Sequence, residues 1–142
     1  MYSVMKLEPK REFRIDGRKI QNLADFFGEI SRQLFPDVVD WNFHFDGLDD
    51  MLGGGFGPPE DGCLLFWDHH QLARTRLGYE ETIRMLEARR ERCHPTARRH
   101  IDKQLRAAKR REGPTVFDDI VELFERHKPE KNQKYSVELL LR

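Results

Sequence analysis

Two cysteines in 142 residues, Cys63 and Cys93, exclude a disulfide framework. Cys63 sits in an apolar, strand-like run and reads as a small buried hydrophobe; Cys93 lies in a charged stretch and reads as an exposed thiol. Neither has a neighbour that would make it a nucleophile. No apolar run approaches the roughly 20 residues that a membrane-spanning helix needs. The N-terminal Met1-Tyr2-Ser3-Val4-Met5-Lys6 lacks the apolar core of a signal peptide, so a cytoplasmic protein is expected. Internal repeats and low-complexity tracts are missing too. The most informative absence is local. From Gln33 to Ala73 there is no Lys or Arg, against eight acids: Asp37, Asp40, Asp46, Asp49, Asp50, Glu60, Asp61 and Asp68.

What is present suits one globular domain with a heavily charged surface: 38% of residues are hydrophobic and 35% charged. The net charge of +0 conceals a division. Arg74 to Arg111 carries thirteen Lys and Arg against five acids, so a purely acidic segment is followed by a strongly basic one. Such asymmetry bears on partners and association rates rather than on fold.

Residues 1–11 are polar and expected to fray. Phe13 and Ile15 alternate with charged neighbours before the Asp16-Gly17 turn, which predicts a strand over 12–15. Asn22 is a good helix N-cap, and Leu23, Phe26, Phe27, Ile30 and Leu34 follow at helical spacing up to Pro36. A short helix is predicted over 45–52, with Phe45, Leu48 and Leu52 on one face and Asp46, Asp49 and Asp50 on the other. Like charges one turn apart cost about 0.2–0.5 kcal/mol, so stability alone does not explain them. Glycines and Pro58-Pro59 then make a loop ending at Gly62. The uninterrupted Cys63-Leu64-Leu65-Phe66-Trp67 predicts a central strand covered on both faces. Asp68 with Gln71 predicts a capping box opening the next helix. Tyr79 to Cys93 and Thr96 to Arg111 read as two charged helices broken at His94-Pro95. Thr115, with Asp118 three residues on, caps a helix carrying Phe117, Ile120, Val121 and Phe124; Tyr135, Val137, Leu139 and Leu141 alternate as a last strand. The order of elements predicts an α/β fold with a small parallel sheet.

Three motifs compete with plain readings. Asp68-His69-His70 matches the signature of the DHH phosphoesterases and follows a strand as it would there. A metal-dependent phosphoesterase needs further Asp and His ligands at other strand ends, and the capping box accounts for Asp68 without a metal. Gly53-Gly54-Gly55-Phe56-Gly57 has neither the Lys-Ser/Thr ending nor the preceding strand of a phosphate loop. The basic block could bind nucleic acid through residues such as Arg98, Arg99 and Arg106, although acids are interleaved and aromatic stacking residues are nearly absent. The carboxylates of 46–50 could also serve acid–base catalysis, but their neighbours are glycine and apolar residues.

The run Trp41-Asn42-Phe43-His44-Phe45-Asp46-Gly47-Leu48-Asp49-Asp50-Met51-Leu52-Gly53-Gly54 resembles the segment that identifies barstar-type ribonuclease inhibitors, with Phe45 for the first Leu of that pattern and Gly47 for its Ala. Phe13 to Ile20, Cys63 to Trp67, Phe117 to His127 and Tyr135 to Leu141 resemble the family's first strand and turn, second strand, last helix and last strand. The resemblance implies a three-stranded parallel sheet packed against helices in a single domain over 12–142, with 79–111 as an inserted charged helical hairpin. It implies no enzymatic activity, no cofactor and no metal. The acidic helix and the loop before it would fill the cationic active site of a small ribonuclease, Asp50 standing for the RNA phosphate and Asp46 assisting one turn earlier. The implied partner-binding set is Asp40, Trp41, His44, Asp46, Asp49, Asp50 and Gly54. Two positions depart from the family's founding member: Asp49 replaces an aromatic residue, and Arg126 replaces an acidic contact on the last helix. The expected function is that of an immunity-type inhibitor of a basic or toxin ribonuclease. An RNA-binding accessory protein using the basic helices of 74–111 is the alternative.

Overall fold

Strand β1 (Arg11–Asp16) carries its apolar residues at every second position, and Ile15 is buried where Arg14 is exposed. It pairs in parallel with β2 (Cys63–Asp68), which pairs in parallel with β3 (Val137–Leu141), so β2 is the middle strand of three. Ile15 lies opposite Trp67, and Leu65 opposite Leu139. A computed structural model describes residues 10–38, 41, 44–54, 56–130 and 134–142. The fray expected over 1–11 falls outside these for residues 1–9, while Arg11 is already in β1.

The helices begin where capping chemistry permits. In α1 (Leu23–Leu34) the Asn22 side chain accepts from the Asp25 N–H at 2.9 Å. In α6 (Val116–Glu125) Thr115 and Asp118 close the capping box reciprocally. Between them lie α2 (Phe45–Gly53), α3 (His70–Arg76), α4 (Tyr79–Arg92), a 3-10 turn at Pro95–Ala97, and α5 (Arg98–Lys109). The main core takes Phe26, Phe27, Ile30 and Leu34 from α1, Leu48, Met51 and Leu52 from α2, Phe117, Ile120, Leu123 and Phe124 from α6, and Cys63, Leu65 and Trp67 from one face of β2. Trp67 is fully buried, its ring 5.4 Å from Phe26 and 5.1 Å from Phe117. Burial also pushes the Cys63 thiol up to about 11, which keeps it protonated and unreactive at neutral pH.

Four expectations need correction. The other face of β2 is covered at Phe66 by guanidinium groups rather than by helices: Arg14 and Arg142 lie 4.7 Å and 4.3 Å from its ring centroid. The capping box at 68–71 does not form. Asp68 ends β2 with its carboxylate 3.6 Å from Arg14, His69 turns in the left-handed conformation (φ 54°), and α3 starts without a side-chain cap. Gly17 is pressed against that turn so closely that a Cβ there would meet the His69 carbonyl oxygen at 2.1 Å. Tyr135 precedes β3 rather than joining it, with φ at 60° and its N–H on the Glu60 carbonyl. Cys93 is half-buried, its Sγ 3.2 Å from the Arg90 carbonyl that accepts its proton.

The basic helices are tied to the rest of the fold at one end. Glu81, in the first turn of α4, is buried; its carboxylate accepts from the Leu23 N–H at the start of α1 and from Arg84. Beside it the Thr82 hydroxyl accepts from the Val116 N–H at the start of α6. Further along, α4 and α5 share a small core of their own from Leu86, Ile101, Leu105 and Ala108.

Candidate functional site

Nine residues are too few for a helix that stands on its own, so α2 depends on its surroundings. Leu48 and Leu52 are fully buried and Met51 nearly so, while Phe45 is half-buried with its ring edge-on to Phe27. The His44 ring nitrogen Nδ1 accepts from the Gly47 N–H at 3.0 Å and so caps the helix. Asp46 follows in the first turn, where the positive end of the helix favours a carboxylate.

The three carboxylates of α2 have different surroundings. Asp49 turns toward α6, with Oδ1 2.6 Å from His127 Nε2 and Oδ2 3.8 Å from Arg126 Nη1. The two positions that depart from the founding inhibitor therefore meet each other. Asp46 and Asp50, one turn apart, are exposed, and neither has a hydrogen bond or ion pair among the described residues. The bond to His127 thus fixes α2 against α6 and leaves Asp46 and Asp50 as the outward pair.

The remaining proposed contacts are dispersed. Trp41 is buried against α1, its indole N–H donating to Ser31 Oγ at 3.1 Å. Gly54 caps the end of α2 in the open, and a Cβ there would meet the Phe56 ring at 2.8 Å. Asp40 lies outside the described residues, as does Gly55 in the glycine run. Phe56, which the sequence reading did not single out, is 62% exposed beside the end of the acidic helix. Its signal was an aromatic set among four glycines.

A groove of about 840 Å³ opens beside Asp46. Asp119 and Glu122 of α6 line it together with Arg126, and Arg89 and Arg92 of α4 also contribute to its wall. Burial holds the Asp119 carboxyl above the usual range; Glu122 adds to the shift and Arg89 opposes it. The neutral form is therefore favoured by folding, and the group costs stability as pH rises through its titration. Asp119→Asn is expected to raise Tm at pH 7, the gain fading as pH falls through the carboxyl range; thermal melts across that range test this, and an unchanged or lowered Tm at pH 7 refutes it.

At the other end of the sheet, Asp68-His69-His70 does not converge on a common point. Asp68 faces Arg14, and His70 Nδ1 lies 2.7 Å from the main-chain oxygen of Arg142. Among the described residues no group of three or more His, Cys, Asp and Glu is placed to hold a metal ion. None of their helices is long and apolar enough to cross a membrane.

Fold and site together define a small α/β protein, a three-stranded parallel sheet with helices, that presents carboxylates on a short helix anchored to its last helix. The family model Barstar (barnase inhibitor) matches residues 10–108, from β1 through most of α5, and the chain belongs to that family. A search of curated proteins found no match.

Proposed function

We propose that the chain is a non-catalytic inhibitor of a basic ribonuclease, acting through the outer face of α2. The observation that carries this reading is the pair Asp46 and Asp50, exposed one turn apart and without partners among the described residues. Membership of a family described as barnase inhibitors supports it. An enzyme that cleaves RNA must hold a phosphate with cations, and a rigid carboxylate pair competes for those cations. Because α2 is fixed by its buried stripe and by the Asp49–His127 bond, little ordering entropy is lost when it docks. Phe56 offers an apolar anchor beside the carboxylates. His44 and Gly54 mark the two ends of the contact helix, and Asp40 and Trp41 precede it in the sequence. An immunity-type role in the cytoplasm, against a toxin ribonuclease, suits such a protein. The hairpin of 79–111 would be an addition to a single domain over 12–142.

The test is inhibition of RNA cleavage by a panel of small basic ribonucleases, starting with barnase. Stoichiometric loss of cleavage is expected for at least one enzyme, with association slowing as salt rises because steering between opposite charges is screened. If every enzyme of the panel keeps full activity in excess protein, the proposal fails.

A further inference from the structure

The outer face of α5 carries a row of cations that the α2 surface does not use. Arg99, Lys103 and Arg106 of α5 and Arg110 at its C-cap recur at intervals of four, three and four residues, and all are exposed. On a helix this places them opposite Ile101, Leu105 and Ala108, which are buried in the small core shared with α4. Arg99, Lys103 and Arg106 form no salt bridge among the described residues; Arg110 makes an exposed one with Glu112 at 3.4 Å. The helix has one acid, Asp102, which is bonded to Arg90 of α4 and is lowered in pKa chiefly by that bond, with Arg106 and Arg98 adding smaller effects.

A helix that needed only to be solvated would mix its signs, as α4 does with Glu80, Glu87 and Glu91 among its arginines. Like charges one turn apart repel, and α5 with its C-cap has two such pairs four residues apart, Arg99 with Lys103 and Arg106 with Arg110, with no acid in the first turn to offset Arg98 and Arg99. The arrangement therefore costs stability in the free protein, and a polyanion would relieve it. A basic amphipathic helix can also lie on a membrane, but that requires an apolar face, and here that face is buried against α4.

We propose that the Arg99–Lys103–Arg106–Arg110 face of α5 binds the phosphodiester backbone of single-stranded nucleic acid, without reading bases. The row extends about 16 Å at the helical rise, long enough to follow several phosphates. The helix has no Phe, Tyr or Trp on which a base could stack, so sequence preference is not expected. An inhibitor with this face would stay near the RNA on which a ribonuclease acts. The proposal does not depend on the α2 reading, because its measurement contains no nuclease.

The test is fluorescence anisotropy of the whole protein with labelled oligouridylate, oligoadenylate and oligothymidylate over a range of salt. All three are expected to bind within a few-fold of each other, with a log–log salt slope of about −3 for four phosphate contacts on single strands. The triple variant Arg99→Gln/Lys103→Gln/Arg106→Gln is expected to bind at least tenfold more weakly at low salt, with the slope reduced to about −1. Its Tm should be equal or higher because the repulsion is gone, and an Arg99→Lys/Arg106→Lys variant should bind as the parent does. No salt-dependent binding by the parent overturns the proposal. So does a triple variant that binds as well as the parent, a strong preference for one oligonucleotide, or binding to phosphatidylserine vesicles alone.

Discussion

Asp50→Ala is expected to weaken inhibition of the target ribonuclease by at least about 2 kcal/mol, roughly a 30-fold rise in the inhibition constant. The reason lies in how the three α2 carboxylates are held. Asp50 is exposed, has no ion pair among the described residues, and stands away from the positive end of its helix, so neither a described partner nor the helix end offsets its charge. A cationic active site closing over it would gain a charge-assisted contact, and truncation would leave the enzyme's cations buried and unmatched. Asp46→Ala should have the same sign and a smaller size, since Asp46 borders the groove that already holds Asp119 and Glu122. Asp49→Ala should act differently. Its carboxylate is bonded to His127, so its loss should lower Tm more than it lowers the association rate. Inhibition constants and melts for the three single variants separate these outcomes. If Asp50→Ala inhibits as well as the parent, α2 is not the contact helix.

The sequence revealed the fold where local chemistry and burial agree. Asn22 and Thr115 cap the helices they were expected to cap, because their side chains need only a backbone N–H three residues away. Phe45, Leu48 and Leu52 predicted the inward face of α2, and the apolar run of 63–67 predicted the middle strand, because hydrophobic periodicity is set by the same geometry that buries it. Where a long-range partner decides, local pattern was silent or misleading. Asp68 looked like a cap and became the end of β2, since Gly17 and Arg14, some fifty residues earlier in the chain, fix that turn. The run of 63–67 gave no hint that Arg142 would help cover Phe66.

The same distinction applies to the candidate site. Sequence spacing could place three aspartates on the outside of one helix, but it treated them as equals. Only the packing of α2 on α6 shows that Asp49 faces His127 and Arg126 while Asp46 and Asp50 do not. Glu81 and Thr82 show this even more clearly. They read as ordinary helix residues, yet they satisfy the first N–H groups of α1 and α6, which joins the basic hairpin to the domain at its base.

That joint suggests a large effect on stability that depends on where the side chain sits. Leu48→Ala is expected to cost about 2–5 kcal/mol, because Leu48 is fully buried in the main core and its truncation leaves a cavity there. For a domain whose total stability is about 5–15 kcal/mol, the expected fall in Tm is about 7–17 °C. Inhibition should suffer as well, even at temperatures where most molecules remain folded, because Leu48 is one of the buried residues that seat the acidic helix. Leu105→Ala makes the counterpart. Leu105 belongs to the small core of α4 and α5, is 7% exposed, and has fewer buried neighbours to lose. Its Tm should fall less, with inhibition unchanged in the folded range. Melts paired with inhibition constants at low temperature measure both. Equal losses of inhibition for the two variants would show that the hairpin core supports the binding face as directly as the main core does.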